Sequence, residues 1–336
     1  MHTNDRERWF ARRGMSRRQW LAASLVLGGS MGLHRSDPQS RVAAQESLMD
    51  LPVIDTHQHL WDLDRFRLPW LQTEDVPALR RSFVMSDYLQ ATRGLNVVKT
   101  VYMEVDVAPE QQLAEAEYVF DLCARDDNPL AGAVISGRPA APDFAAYIRP
   151  LARHSYLKGV RQVLHVPSTP PGYCLQPKFV HGIQLLGDLG LRFDLCMRPG
   201  ELYDAVKLVE QCPRTQFIVD HCGNMSVSSR DAELRKKWQG AMQALAALPN
   251  TVCKISGIVV TAPPQWTPAD LAPNIQFTLD TFGADRVLFA GDWPVCTLRA
   301  TFAQWLSALK EIVQDRPLAF QRKLFHDNAV RVYGLA

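Results

Sequence analysis

The 336-residue sequence has no Cys-x-x-Cys pair, and its seven cysteines (123, 174, 196, 212, 222, 253, 296) are odd in number and scattered. A zinc ribbon or thioredoxin-like redox motif is therefore unsupported. No Gly-x-Gly-x-x-Gly follows any apolar run, which removes the dinucleotide-binding fingerprint. There is no internal repeat beyond an alternation of apolar runs and amphipathic stretches, and no low-complexity tract. Charge of one sign is not in excess either, since the net charge is +2. Even that is unevenly placed. Residues 1–44 carry eight arginines against Asp5, Glu7 and Asp37, a net +5, so the remainder sums to −3. A nucleic-acid partner loses its main support.

The basic segment reads as an address. "SRRQWLAASLVLGGSMG" sets Arg17-Arg18 before an uncharged run too short and too rich in Gly, Ala and Ser for a comfortable membrane span. Ser-Arg-Arg-x-aromatic-Leu resembles a twin-arginine export signal, which the translocation machinery reads as a partner. Val42 and Ala44 stand where a signal peptidase inspects the chain, so cleavage after Ala44 and a periplasmic mature protein are expected. An uncleaved anchor is the alternative; no cysteine near the cut invites a lipid. Folding before export argues against disulfides, and the cysteines sit in apolar contexts such as "FDLCM", so free thiols are expected.

What the chain does have is hydrophobicity, 47% of residues, arranged in short runs. Strands are expected at 52–57, 97–105, 130–136, 157–164, 191–197, 216–221, 251–256 and 286–292. Most are aliphatic and bounded by Gly, Pro or Asn, as strands buried on both faces should be. Helical spacing fills 108–126, 199–212, 231–248 and 298–313. Eight strands with helices between them predict a single-domain (β/α)₈ TIM barrel over 45–336 rather than an open doubly wound sheet. Three long proline-rich connections, 60–81, 165–178 and 261–273, each follow a strand and would gather at one face as covers over a site.

Ionisable residues fall where those strands end: His57 and His59, Glu104, Arg161 and His165, Arg198, Asp220-His221, Lys254 and Asp292. Strand ends at the C-terminal face are where barrel enzymes keep their chemistry. Each residue alone has a structural explanation; an arginine pairs with a nearby acid, and a lysine snorkels. Together they outline a site. Two imidazoles two residues apart share a strand face. With a strand-eight carboxylate they can hold a divalent ion or, without one, orient a water with Asp292 as general base.

These residues resemble the amidohydrolase superfamily, in its branch of L-fuconolactonase-like and 2-pyrone-4,6-dicarboxylate lactonase-like hydrolases. The motifs are "IDTHQHLW" (54–61), "FRLPWL" (66–71), "LKGVRQVL" (157–164), "VDHCGN" (219–224), "CKISGI" (253–258) and "DRVLFAGDWPV" (285–295). The resemblance runs from residue 52 to the end. It implies an amidohydrolase-like barrel that opens a cyclic ester of a small-molecule substrate, with Asp292, His221 and Lys254 as catalytic groups. Arg161, His165, Arg198, Trp61, Trp293 and Glu104 would contact substrate or wall the pocket. His57, His59 and Asp292 would hold one divalent ion, zinc, although members of the branch differ in needing metal. No lysine on strand four suits a carbamate bridge, so a two-metal site is not expected. The chain departs from the family at Ala290-Gly291 before Asp292, where Gly-Ser is common, and at Asn224-Met225, where Lys-Pro is common. The implied mechanism has Asp292 deprotonating water, with Lys254 and Arg161 or His221 stabilising the oxyanion. Two other readings fit the same pattern: a metal-dependent decarboxylase of an aromatic or unsaturated acid, and a non-catalytic periplasmic carbohydrate-binding barrel.

Overall fold

Apolar runs bounded by turn residues form eight parallel strands in the computed structural model, which describes residues 51–335. They are β1 (Val53–Gln58), β2 (Val97–Met103), β3 (Leu130–Ser136), β4 (Leu157–Val163), β5 (Arg192–Cys196), β6 (Gln216–Val219), β7 (Thr251–Ile255) and β8 (Val287–Phe289). They pair in sequence order, β1 to β8, each parallel to its neighbour. The main helices that follow them are α1 (Met85–Ala91), α2 (Gln112–Cys123), α3 (Phe144–Leu151), α4 (Pro177–Asp188), α5 (Leu202–Gln211), α6 (Ala232–Ala247), α7 (Pro268–Phe282) and α8 (Phe302–Val313). The fold is the (β/α)₈ barrel. The leader and its cleavage point after Ala44 lie outside the described residues.

Polar side chains decide where the elements stop. Strand β8 ends before the expected Asp292 because Gly291 N donates to the Asp55 carboxylate at 2.7 Å and Asp292 adopts φ 53°. Strand β6 stops at Val219 because His221 and Cys222 turn into the left-handed region, at φ 54° and 52°. Helix α8 starts at Phe302 rather than 298, since Thr301 caps it: Gln304 N donates to Thr301 Oγ1 at 3.2 Å, and Thr301 N donates to Gln304 Oε1 at 2.8 Å. That reciprocal bonding satisfies two amides that the helix leaves open.

The main core lies between sheet and helices, where Phe179, Phe193, Phe217 and Trp305 are fully buried. A second cluster fills the barrel with Ile54, Val101, Met103, Val134, Ile218, Val252 and Leu288. It packs on Ala329, Val332 and Tyr333 of α9 (Asn328–Tyr333), whose Val332 carbonyl accepts from Arg192 Nε at the start of β5. The interior is thus closed at the strands' N-terminal ends, leaving the other end for chemistry. All seven cysteines are free and buried.

The seam between the first and last strands is joined by few bonds. Thr56 Oγ1 donates to Phe289 O at 2.7 Å, Asp292 N to His57 O at 2.9 Å, and His59 N to Trp293 O at 2.8 Å. Asp55 adds its bonds to Gly291 N and, at 2.8 Å, from Tyr88 Oη. The residues that close the barrel are the neighbours of the histidine pair and the strand-eight acid.

Candidate active site

At the C-terminal mouth, His57 Nε2 and His59 Nε2 lie 3.1 Å apart. Asp292 Oδ1 completes the triangle, 3.7 Å from the first and 3.5 Å from the second. His59 Nδ1 is 2.9 Å from Met103 O, which can only accept. Nδ1 therefore carries the proton and Nε2 presents its lone pair to the site. His57 Nδ1 lies 3.4 Å from Asp220 Oδ1 and also 3.4 Å from Lys254 Nζ. Proton on Nδ1, facing the aspartate, leaves both Nε2 lone pairs meeting across 3.1 Å, an arrangement that calls for a cation between them. Proton on Nε2 instead lets His57 donate to His59 with no cation. Burial drives the His57 pKa well down, so the ring is neutral in either form.

The donor set fits a divalent ion. Two neutral imidazoles and a carboxylate, all buried and mutually close, are the ligands zinc accepts, and their separations suit bonds of about 2.0–2.2 Å to a shared centre. His57 also belongs to a second grouping with Asp220 and His221.

Beneath the pair lies a buried charge network. Lys254 Nζ is bonded to Asp194 and lies 3.2 Å from Asp220 Oδ1, with all three side chains fully buried. Arg161 Nη1 reaches Asp220 at 3.6 Å and His57 Nε2 at 3.3 Å, while its Nε binds Glu104 at 2.6 Å. Burial opposes the charge on Asp220, but Lys254 and His57 outweigh it and hold the carboxyl well below its usual range. Asp194 goes the other way: burial pushes it up to about 7 despite Lys254. For Lys254, Asp194 and Asp220 overcome burial and keep the ammonium charged.

Above the pair a cleft of about 280 Å³ opens, lined by His59, Arg161, His165, His221 and Asp292 together with Trp61, Trp70 and a set of aliphatic side chains. His221 is half-buried, its Nδ1 2.8 Å from Ser256 Oγ, leaving Nε2 for the cleft. Gly257 makes this possible. It adopts φ +66°, and a Cβ there would lie 2.4 Å from His221 Nδ1. Left-handed backbone also places His221, Asp292 and Asp106 at the mouth, a small concentration of strain at the site.

Of the residues singled out from sequence, His57, His59, His221, Asp292, Arg161, His165 and Trp61 converge on or beside this cleft. Four do not line it. Lys254, expected as a catalytic group, is drawn down between Asp194 and Asp220. Glu104 is fully buried and anchors Arg161, and its Oε2 takes Asp106 N at 2.7 Å. Arg198 is spent on Glu201 and on the carbonyls of Leu164, Val166 and Thr169, pinning the β4–α4 loop. Trp293 is 3% exposed and packs edge-on against Phe83 and Tyr88. Sequence reasoning did not assign Asp194, Asp55 or Asn224. The first two were visible as lone acids inside apolar runs, "RFDLC" and "VIDTH", which need buried partners.

The chain has both sequence relatives and structural neighbours. An L-fucono-1,5-lactonase of Burkholderia multivorans is 27% identical over 293 residues, covering 84% of this chain and 96% of its own. A solved amidohydrolase from Burkholderia multivorans, with bound zinc, superposes with a TM-score of 0.76 at 24% identity, over 85% of this chain and all of that one. A 5-carboxyvanillate decarboxylase from Sphingomonas paucimobilis shares the fold with a TM-score of 0.62 at 15% identity, over 85% and 100% of the two chains. The sequence model of one family, described as amidohydrolase, matches residues 54–335, from β1 to the C-terminal helix and across every residue of the site; the chain belongs to the amidohydrolase family.

Proposed function

We propose that the protein hydrolyses a lactone, with Asp292 as the general base. The observation that carries this is the buried triangle of His57, His59 and Asp292 on the wall of a cleft, in a chain related over most of its length to L-fucono-1,5-lactonases. The Asp292 carboxylate takes a proton from the attacking water and returns it to the leaving alkoxide. Arg161 and His221, both lining the cleft, are the donors available to the developing oxyanion. Lys254 acts from below, holding Asp220 ionised so that His57 keeps its orientation. His57, His59 and Asp292 would hold the metal, which we assign as zinc; such an ion supplies Lewis acidity at the carbonyl.

The test is a proton-release assay on a lactone panel, paired with carbon dioxide release from hydroxybenzoates. Asp292→Asn should lower lactone turnover by about 10²–10⁴ and leave the thermal melt within a few degrees. Near-parental turnover in that variant, or carbon dioxide release without lactone opening, refutes the proposal. Chelation followed by zinc return should move the melting temperature down and back up, a readout independent of turnover. Export belongs to the same proposal and rests on Arg17-Arg18 and the small residues before the cut; lysine at both positions should retain the protein in the cytoplasm.

A further inference from the structure

The wall of the cleft away from His57, His59 and Asp292 is built for an apolar ligand. Val163 faces it from the end of β4, and Val105, Val166, Ile258, Val260 and Val295 face it from four different connections. Two indoles stand beside them, and neither offers its N–H. Trp61 Nε1 donates to Arg81 O at 2.6 Å and Trp70 Nε1 to Val105 O at 2.8 Å. The Thr261 hydroxyl is committed twice, donating to Ile258 O at 2.7 Å and accepting from Val227 N at 3.0 Å. Asn224 gives one of its two amide hydrogens to Met197 O at 2.9 Å. Beyond the reacting groups, the side-chain polar groups left are the rest of the Asn224 amide, His165 and, at the exposed rim, Glu74.

Charge points the same way. Arg161 is the one lysine or arginine among the lining residues, and it is already paired with Glu104 and Asp220. Asp106 is matched by Arg138 at 2.5 Å. Away from the reacting groups, a second carboxylate entering this cleft would meet no lysine or arginine, and a polyhydroxylated ring would leave most of its hydroxyls desolvated without partners.

Building on the lactonase reading, we infer that the substrate is an uncharged lactone bearing an alkyl or aryl substituent, not a sugar lactone or a pyrone dicarboxylate. The ester lies against Asp292, Arg161 and His221, and the substituent lies between Trp61, Trp70 and the valines. Each methylene taken into this wall should raise kcat/KM roughly fourfold until the cleft is full.

Two measurements test this separately from the lactonase reading. The first compares kcat/KM for δ-lactones with methyl, propyl and pentyl substituents against L-fucono-1,5-lactone and 2-pyrone-4,6-dicarboxylate. A rise with chain length, and at least a tenfold preference for the propyl lactone over both polar compounds, supports the inference. Preference for either polar compound overturns it and leaves the lactonase reading standing. The second measures calorimetric binding of alkyl and polyhydroxylated δ-lactams, which resist hydrolysis, to Asp292→Asn. Tighter alkyl-lactam binding with no lactone turnover in the parent supports the apolar wall and refutes the lactonase reading. Equal or weaker alkyl-lactam binding refutes the inference whatever the turnover. Val260→Asn should flatten the chain-length dependence through KM, and an unchanged dependence in that variant counts against the inference.

Discussion

Replacing Lys254 by methionine separates its two roles, as a support for the site and as a group that touches substrate. Methionine occupies a similar volume, so the change is chiefly the loss of an ammonium from a fully buried place. That ammonium is bonded to Asp194, and it stands 3.2 Å from Asp220 and 3.4 Å from His57 Nδ1. Asp220 keeps Arg161 at 3.6 Å, but Asp194 is left with a methyl group where its cation stood. Breaking a buried pair from one side costs about 3–5 kcal/mol, which at roughly 2–4 °C per kcal/mol for a domain of this size lowers Tm by roughly 6–20 °C. The deficit should depend on pH. Asp194 is already raised to about 7 by burial, so the folded state holds a proton that the unfolded chain releases near the ordinary 3.8. Stability therefore falls as pH rises from about 4 through 7, more steeply without Lys254, and the variant should be closer to its parent at pH 5 than at pH 8. Adding Asp194→Leu removes the stranded carboxylate and should recover at least half of the lost Tm. Thermal melts of the parent, both single variants and the double variant at the two pH values check this. A single variant melting within 2 °C of its parent refutes the reasoning, as does a double variant no more stable than Lys254→Met. Unchanged melting with abolished turnover would return Lys254 to the substrate.

Three other perturbations follow from the geometry. Gly257→Ala puts a Cβ 2.4 Å from His221 Nδ1 on a backbone already at φ +66°, so kcat should fall at least tenfold with about 1–3 kcal/mol of stability; parental kcat would show that His221 does not act from its observed place. Glu115 is pushed up to about 8, chiefly by burial, with Tyr102 Oη donating to its Oε1 at 2.9 Å. Its proton is retained on folding and lost on unfolding across pH 4.5 to 8, so stability declines through that window and Glu115→Gln should flatten the decline; identical Tm-against-pH curves would argue against it. Asp55→Ala strands Gly291 N and the Tyr88 hydroxyl at the seam and should cost about 2–4 kcal/mol, with turnover falling too because Asp292 follows Gly291; a Tm within 2 °C of the parent would contradict this.

The barrel was legible because buried strands leave a plain signature, and β3 spans 130–136 as the apolar pattern predicts. Strand ends were less legible. Pattern carries β2 to 105 and β8 to 292, but Glu104 turns to bind Arg161 and Asp292 turns under a bond made by Asp55, partners far away in the chain. The same limit applied to the site. His57, His59 and Asp292 could be grouped by their places at strand ends, since a barrel brings strands one and eight together. Lys254 could be placed at a strand end, but its position between Asp194 and Asp220 depends on depth along the barrel axis, and depth is not written in spacing. Arg198 and Trp293 also sit at strand ends, and only the loop carbonyls around one and the aromatic rings around the other reveal that they serve packing.

The bonds across the seam couple catalytic competence to completion of the chain. The histidine pair is among the first described residues, and its carboxylate partner arrives only with the eighth strand. A ribosome-bound or proteolysed fragment lacking that strand could bury most of its hydrophobic residues and still lack Asp292. Turnover would then report on whether the two ends of the chain have met, something that spectroscopic measures of helix content read poorly. The pair at 57 and 59 waits for the far end of the polypeptide, and activity serves as an internal check that the barrel has closed.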